Sequence, residues 1–216
     1  MKIVAASTST RTFRKPLVPL AERAALAARE RRISLRQASE CVFLTRFELS
    51  GNRFMINRSE GYHNPLLTAQ AISHLGSIFH GFSLGFYFSQ NDEIVHLTLK
   101  AKAFQYDHSP SLYFPFSSGL NLFQLSINIV GEYMGLDDLA SKVIGKGGEA
   151  LLALYNLAGE TGVQKISYLV SRHNPRAKLF YSNLGFGAPV EPDSALWEVT
   201  VDRTAALRSQ TSPINA

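Results

Sequence analysis

A chain of 216 residues with 45% hydrophobic side chains and a net charge of +5 has the composition of a globular protein, long enough for one sizeable core and at most a small second unit. Its one cysteine, Cys41, excludes an internal disulfide framework and a cysteine-based zinc site. The charge is uneven: residues 1–38 hold nine Lys or Arg against two Glu, and the remainder holds 13 basic against 15 acidic side chains, so +7 faces −2.

Residues 1–38 therefore read as a basic arm. It opens on Ser7-Thr8-Ser9-Thr10, continues Arg-rich, and has no apolar stretch of the secretory kind. Two readings stand side by side. One is a targeting or secretion address, or a docking arm for an acidic partner such as an acyl carrier protein, a membrane surface or nucleic acid. The other is an amphipathic helix, Leu20 to Arg36, packed on the domain. Cys41 to Leu49 is rich in β-branched and aromatic residues and predicts a strand, with Cys41 as a small buried hydrophobe. Asn64-Pro65 starts a helix towards Ile78. Ala71 to Phe88 is uncharged and of membrane-spanning length, but it holds two histidines, three serines and three glycines and has no basic flank. It reads as a buried helix followed by a buried strand, in a soluble, cytoplasmic protein without a transmembrane segment.

Leu84 to Ser89 and Ile94 to Phe104 predict a hairpin. In its second strand Leu97, Leu99, Ala101 and Ala103 share one face and His96, Thr98, Lys100 and Lys102 the other. His108 to Gly119 is turn-rich, and Leu120 to Val130 predicts another strand. Gly148 to Ala158 predicts a helix, Lys165 to Ser171 a strand, Asn174 to Leu184 a helix with Gly185 past its end, and Ala195 to Val201 a last strand. The organisation expected is an arm over 1–38, one domain over 39–203, and an unstructured polar tail over 204–216. The element order gives an α/β or α+β chain, a mixed sheet flanked by helices.

Chemistry concentrates in two segments. Asn174 to Phe186 is a capped helix with the apolar stripe Ala177, Phe180, Tyr181 and Leu184. Upstream, Lys142-Val143-Ile144-Gly145-Lys146-Gly147 precedes a helix. Small residues in such a loop let backbone N–H groups approach phosphate oxygens, and the helix that follows turns its positive dipole end towards them. The first segment resembles the fourth helix of the GNAT acyltransferases: Asn174, Ala177, Tyr181 and Gly185-Phe186 all stand in the family's spacing. The second is similar to the family's pyrophosphate loop, with Lys142 where Arg or Gln is usual.

This resemblance implies a GNAT-like fold, a mostly antiparallel central sheet with helices on both faces, and acetyl-CoA or another acyl-CoA as cosubstrate without a metal. It implies Tyr181 as the acid that protonates the leaving thiolate. It implies cofactor contacts from Lys142, Gly145, Lys146, Gly147, Asn174 and Ala177, and from the backbone of Ile127, Ile129 and Val130 on the strand before the loop. Glu132 is the candidate base, or a solvated turn carboxylate. In the family the loop follows its strand directly. Here Gly131 to Ser141 intervenes, either as an insertion or because the loop belongs at Gly131–Gly135. The acceptor implied is a primary amine on a small molecule, a protein lysine or an N-terminus. Two alternatives stay open: a long-chain N-acyl amino acid or acyl-homoserine-lactone-like synthase fed by an acyl carrier protein, and a GNAT-like binding protein without turnover.

Other features are less directed. The six histidines, 63, 74, 80, 96, 108 and 173, show no metal-ligand spacing. His108 beside Asp107 is a base or a surface histidine. Residues 79–123 hold eleven aromatic side chains, which read as a packed hairpin or as a large apolar pocket for an acyl chain or aromatic acceptor.

Overall fold

The computed structural model describes residues 18–103 and 121–202. Two helices come first, α1 (Leu20–Arg31) and α2 (Leu35–Cys41), the second capped by Ser34, whose Oγ accepts from the Gln37 amide. A short hairpin follows, β1 (Arg46–Leu49) and β2 (Asn52–Arg58). Helix α3 (Pro65–Leu75) starts where Asn64 Oδ1 accepts from the Leu67 amide at 2.9 Å, with Pro at its first position. Then come four strands in an antiparallel meander: β3 (Phe82–Asn91), β4 (Ile94–Ala103), β5 (Phe123–Val130) and β6 (Tyr133–Ser141). The chain ends with α4 (Lys146–Glu160), β7 (Lys165–Leu169), α5 (Pro175–Leu184), β8 (Ala188–Pro189) and β9 (Leu196–Thr200).

The strands form one nine-stranded sheet, ordered β1-β2-β3-β4-β5-β6-β7-β9-β8. All pairs are antiparallel except β2/β3 and β6/β7. Period-two alternation decides which face is buried. Leu84, Phe86 and Phe88 of β3, Leu97, Leu99 and Ala101 of β4, and Phe123, Leu125 and Ile127 of β5 lie inside. The helices α1 to α4 contact one another as a continuous layer, α1 on α4, α2 on α3 and α3 on α4. The opposite face of β3 to β5 carries Tyr87, Thr98, Lys100, Gln124 and Ser126, all partly exposed. Several of the aromatics expected to pack do so: Phe79 lies 4.6 Å from Phe123 and 5.4 Å from Phe82, ring centre to ring centre. Those at 104–120 lie outside the described residues, with His108, Asp107, the turn-rich connection and Leu120, the first residue of the expected Leu120–Val130 strand. So do residues 1–17 and the tail from 203.

Three expectations change. Cys41 closes α2 and is half-buried, and the strand starts only at Arg46; Phe43 and Leu44 between them are exposed. Gly131 to Ser141 is neither an insertion nor a loop. The chain turns at Gly131, whose φ is +55°, and returns as β6. Residues 20–38 belong to the packed unit, and the expected boundary at 38/39 falls inside α2. Ala24 is fully buried, the Asn156 amide of α4 donates to Ala24 O at 2.8 Å, and Arg23 donates to Leu184 O at 2.6 Å. Arg32, between α1 and α2, pairs with Glu160 at the end of α4 at 2.7 Å. His74 Nε2 lies 2.9 Å from the other oxygen of Glu160.

Candidate cofactor cleft

The site begins as a defect in the sheet. At Ser126/Ile127 the β5–β6 register shifts: Ile127 faces Leu136 and Ser126 faces Asp138, which leaves Asp137 as a bulge. On its other side β6 pairs with β7 only from Tyr133 to Leu136. Beyond that point β7 stays with β9, and β6 runs on to Ser141 with no strand on its outer edge among the described residues. A bulge bends a strand and increases its twist, which accounts for the parting of the two parallel strands.

From Ser141 the chain turns into α4. Ser141 Oγ donates to Val143 O at 2.8 Å and closes the turn. Gly145 is the N-cap at φ +81°, a left-handed conformation that a side chain rarely adopts. The amides of Gly147 and Gly148, in the first turn of α4, have no acceptor among the described residues. They sit beside a cleft of about 570 Å³ bounded by Leu139 and Ser141 of β6, the Gly145–Gly148 turn, and Asn174, Ala177, Phe180 and Tyr181 of α5. A methyl group added at Gly147 would lie 3.5 Å from the Phe180 ring, so this glycine faces α5 across the cleft.

Helix α5 holds its wall by the cap that its sequence implies: Asn174 Oδ1 accepts from the Ala177 amide at 3.0 Å, with Pro175 at the first position. Tyr181 packs on an aromatic floor, 4.5 Å from the Tyr168 ring and 6.4 Å from that of Trp197. Tyr168 is fixed by its hydroxyl, which donates to Phe186 O. Burial, and then the Asp138 carboxylate, push the Tyr181 pKa up. Burial, with Tyr181 as the second cause, does the same to Tyr168. Asp138 accepts from Gln124 Nε2 at 2.8 Å, and Asp137 from Asn128 Nδ2 at 2.7 Å.

The cleft therefore brings together Gly145, Gly147, Asn174, Ala177 and Tyr181. Other expected residues fall elsewhere. Ile127, Ile129 and Val130 belong to β5: the first two are paired with both β4 and β6 and Val130 with β6, so their backbone groups serve those ladders. Beside the cleft, among the described residues, the unpaired strand edge is that of β6 beyond Leu136. Glu132 stands in the β5–β6 turn, at the far end of β6 from the cleft; nine residues of strand span roughly 26 Å. Its carbonyl accepts from the Gln164 amide at 2.8 Å. Lys146 turns to Glu149, 2.8 Å away, and borders a separate cavity with Arg32 and His80. Lys142 is exposed at the end of β6, with its amide bonded to Leu122 O. Asp138, Ser141 and Phe180 had not been anticipated. The only sequence signal for Asp138 is the pair of adjacent aspartates, Asp137-Asp138, just before the glycine turn. Among the described residues no group of three or more His, Cys, Asp or Glu is placed to hold a metal.

No protein-family model matches the chain, and no curated protein does. Solved structures similar to it include the PaiA N-acetyltransferase of Thermoplasma acidophilum in complex with coenzyme A, at 18% identity over 49% of this chain and 60% of that one, TM-score 0.36. Another is the ribosomal-protein-S18-alanine N-acetyltransferase of Escherichia coli, at 15% identity over 59% and 76%, TM-score 0.35. A third is the GNAT family N-acetyltransferase YhbS of Escherichia coli in complex with CoA, at 16% over 51% and 61%, TM-score 0.32. The chain thus spans less than two thirds of the first and third of these proteins. The likenesses are to N-acetyltransferase structures. From β4 onward the elements run as antiparallel strands, a bulged strand, a glycine turn, a helix, a parallel strand and a capped helix.

Proposed function

We propose that this protein is an acyl-CoA-dependent N-acyltransferase that passes an acyl group, in the simplest case acetyl, to a primary amine. The observation that carries the reading is the pair of unpartnered Gly147 and Gly148 amides at the start of α4, beside the same cleft as Tyr181 and the free edge of β6. Unpaired N–H groups at a helix N-terminus are a fitting partner for a diphosphate. An unpaired strand edge is a fitting partner for the two amides of a pantetheine arm, which it can meet as a further strand. A bound acyl thioester supplies the electrophilic carbonyl. The protein's part is to hold and orient it, and to move two protons.

Asp138 is the candidate base. An alkylammonium has an ordinary pKa of about 10.4 and must lose a proton before it can attack. Asp138 is exposed beside the bulge and is close enough to Tyr181 to shift its pKa. Tyr181 is the candidate acid. Its raised pKa keeps the hydroxyl protonated at neutral pH and ready to donate as the carbon–sulfur bond breaks. Over the reaction one carbon–nitrogen bond forms and one carbon–sulfur bond breaks; the alkylammonium sheds two protons, one passing through Asp138 to solvent before attack and the other matching the one gained by the thiolate.

The test is CoA binding and turnover with Gly147→Leu. A Cβ at Gly147 finds only ordinary van der Waals neighbours at 3.5 Å and beyond, so the variant is expected to fold, while its longer side chain fills the approach to the Gly147 and Gly148 amides. The expected result is loss of CoA binding by calorimetry with an unchanged melting temperature. Trp197, the chain's one tryptophan, sits under Tyr181 and gives an independent fluorescence readout. Unchanged affinity in a folded variant would refute the phosphate role of this turn.

A further inference from the structure

The two strands that part at the cleft carry opposite chemistry on the face of the sheet away from the helices. Ile166 and Tyr168 of β7 and Trp197 and Val199 of β9 are buried, so alternation turns Leu169 and Leu196 to the other face. Leu169 and Leu196 are direct partners across the β7–β9 ladder. The β8–β9 register, Ala188 to Glu198 and Pro189 to Trp197, sets Val190 opposite Leu196, and the Val190 amide donates to Leu196 O at 3.0 Å. The three side chains thus form one cross-strand row, and they are 77%, 38% and 50% exposed. Single exposed apolar residues are ordinary, but a contiguous row of them marks a surface that something covers.

The row points at the split. The parallel register of β6 and β7 ends at Leu136 to Tyr168, so the residue of β6 that faces Leu169 across the gap is Asp137. Asp137 and Asp138 accept from Asn128 and Gln124, which alternate along β5 with the buried Leu125 and Ile127. Both carboxylates therefore lie on the same face as the apolar row, and among the described residues neither is paired with a cation. Glu198, the next residue of β9 on this face, is already paired with Lys165 at 3.3 Å.

We propose that this row selects the acceptor: a primary amine whose nitrogen enters the split beside Asp137 and Asp138, and whose body is an apolar chain lying over Leu169, Leu196 and Val190. The inference rests on the acyl-transfer reading of the cleft and names the class of amine it takes. Carboxylates without a cationic partner favour an ammonium at that end. Leucine and valine side chains offer no partner to a polar body, and covering them with a second charge would desolvate it without compensation. From Leu169 to Val190 is two strand steps, about 10 Å, roughly the reach of an eight-carbon chain.

The experiment offers the full chain acetyl-CoA with octylamine, 1,8-diaminooctane or ethylamine, and measures both acetyl transfer and, by calorimetry on the CoA-bound protein, amine binding. Octylamine is expected to exceed each of the others at least tenfold in kcat/KM and in affinity, because 1,8-diaminooctane sets a second charge on the row and ethylamine does not reach it. Leu169→Glu, a change at an exposed position, is expected to weaken octylamine at least tenfold and to favour 1,8-diaminooctane over it, with CoA affinity as in the unmodified protein. Val190→Glu, at the far end of the row, is expected to shift the same ratio in the same direction. Octylamine bound with this preference but never acetylated would refute the transferase reading and leave the row as an amine site. No preference among the three amines, no binding of any of them, or an octylamine to diaminooctane ratio unchanged in both variants would each overturn the assignment, even if acetyl-CoA is consumed.

Discussion

Tyr181 and Asp138 make opposite demands on one another, and that opposition is open to measurement. A tyrosine ordinarily titrates near 10. Burial and the neighbouring carboxylate raise Tyr181 above that, so its protonated form, the one able to donate, persists into alkaline solution. Tyr181→Phe removes the donor and keeps the ring on Tyr168 and Trp197. Turnover is expected to fall by about 10²–10⁴, with CoA affinity and melting temperature nearly unchanged, because the lost contact belongs mainly to the transition state. Asp138→Asn is expected to lower turnover as well, and to move the alkaline limb of whatever rate remains to lower pH, because the charge that raised the Tyr181 pKa is gone. Full turnover in Tyr181→Phe, with chemistry rate-limiting, would assign the proton to water. An alkaline limb left in place in Asp138→Asn would mean that the carboxylate does not act on the tyrosine. The same raised pKa sets a stability trend. The folded state binds the Tyr181 proton more tightly than the unfolded chain does, so this contribution is complete below about pH 10 and is lost as pH rises through the folded value.

Strand β6 is the element on which the cleft depends, and it needs a close approach that only glycine allows. A Cβ on Gly135 would lie 2.4 Å from Asn128 Oδ1. Asn128 accepts from the Gly135 amide and donates to Asp137, so it links β5 to the bulge. Gly135→Val is therefore expected to expel the Asn128 side chain and loosen the bulge, destabilising the fold by about 1–3 kcal/mol in chemical denaturation and lowering turnover more than CoA affinity. Turnover and stability like those of the unmodified protein would mean that the bulge holds its geometry without Asn128. This strand also shows where the sequence could be read and where it could not. Helix α5 was legible to its ends because a cap, a proline and a glycine stop each have local causes, and the α4 turn was legible from its glycines. β6 was not. Its alternation, Met134 and Leu136, breaks at Asp137, because the bulge shifts the next partly buried apolar position to Leu139, and two aspartates in the middle resemble a loop. The cofactor contacts expected from Ile127, Ile129 and Val130 have the same origin: with 131–141 read as an insertion, β5 is the last strand before the loop, whereas the strand that leads into it is β6. Placing Asp138 needed the register, which is a tertiary fact.

At the scale of the whole molecule, the basic N-terminal stretch divides into two parts with different physics. Four of its nine cations stand in residues 1–17, and Arg23, Arg29, Arg31, Arg32 and Arg36 stand in or between α1 and α2. Arg23 and Arg32 are bonded into the body, and Arg32 is nearly enclosed with Glu160, at 18% and 3% side-chain exposure. Glu160 closes α4, the helix whose other end is the candidate phosphate cradle, and a carboxylate at a helix C-terminus is unfavourable unless cations meet it. Removing one partner of such a buried pair typically costs about 3–5 kcal/mol. His74 does not replace Arg32 well, since burial holds its pKa below the ordinary histidine value and favours the uncharged ring. A chain that starts at residue 18 should accordingly melt like the full protein and keep its CoA affinity, losing at most a salt-sensitive attraction to an acidic partner. A chain that starts at residue 39 loses Ala24, Ile33 and Ala38 from the core along with Arg32. It is expected to show no cooperative thermal transition and no CoA binding. Melting curves by circular dichroism, with titration of CoA against Trp197 fluorescence, compare the three chains directly. If the chain from residue 39 melted cooperatively and bound CoA, α1 and α2 would be a separable arm after all, and the Arg32–Glu160 pair would be incidental to the fold.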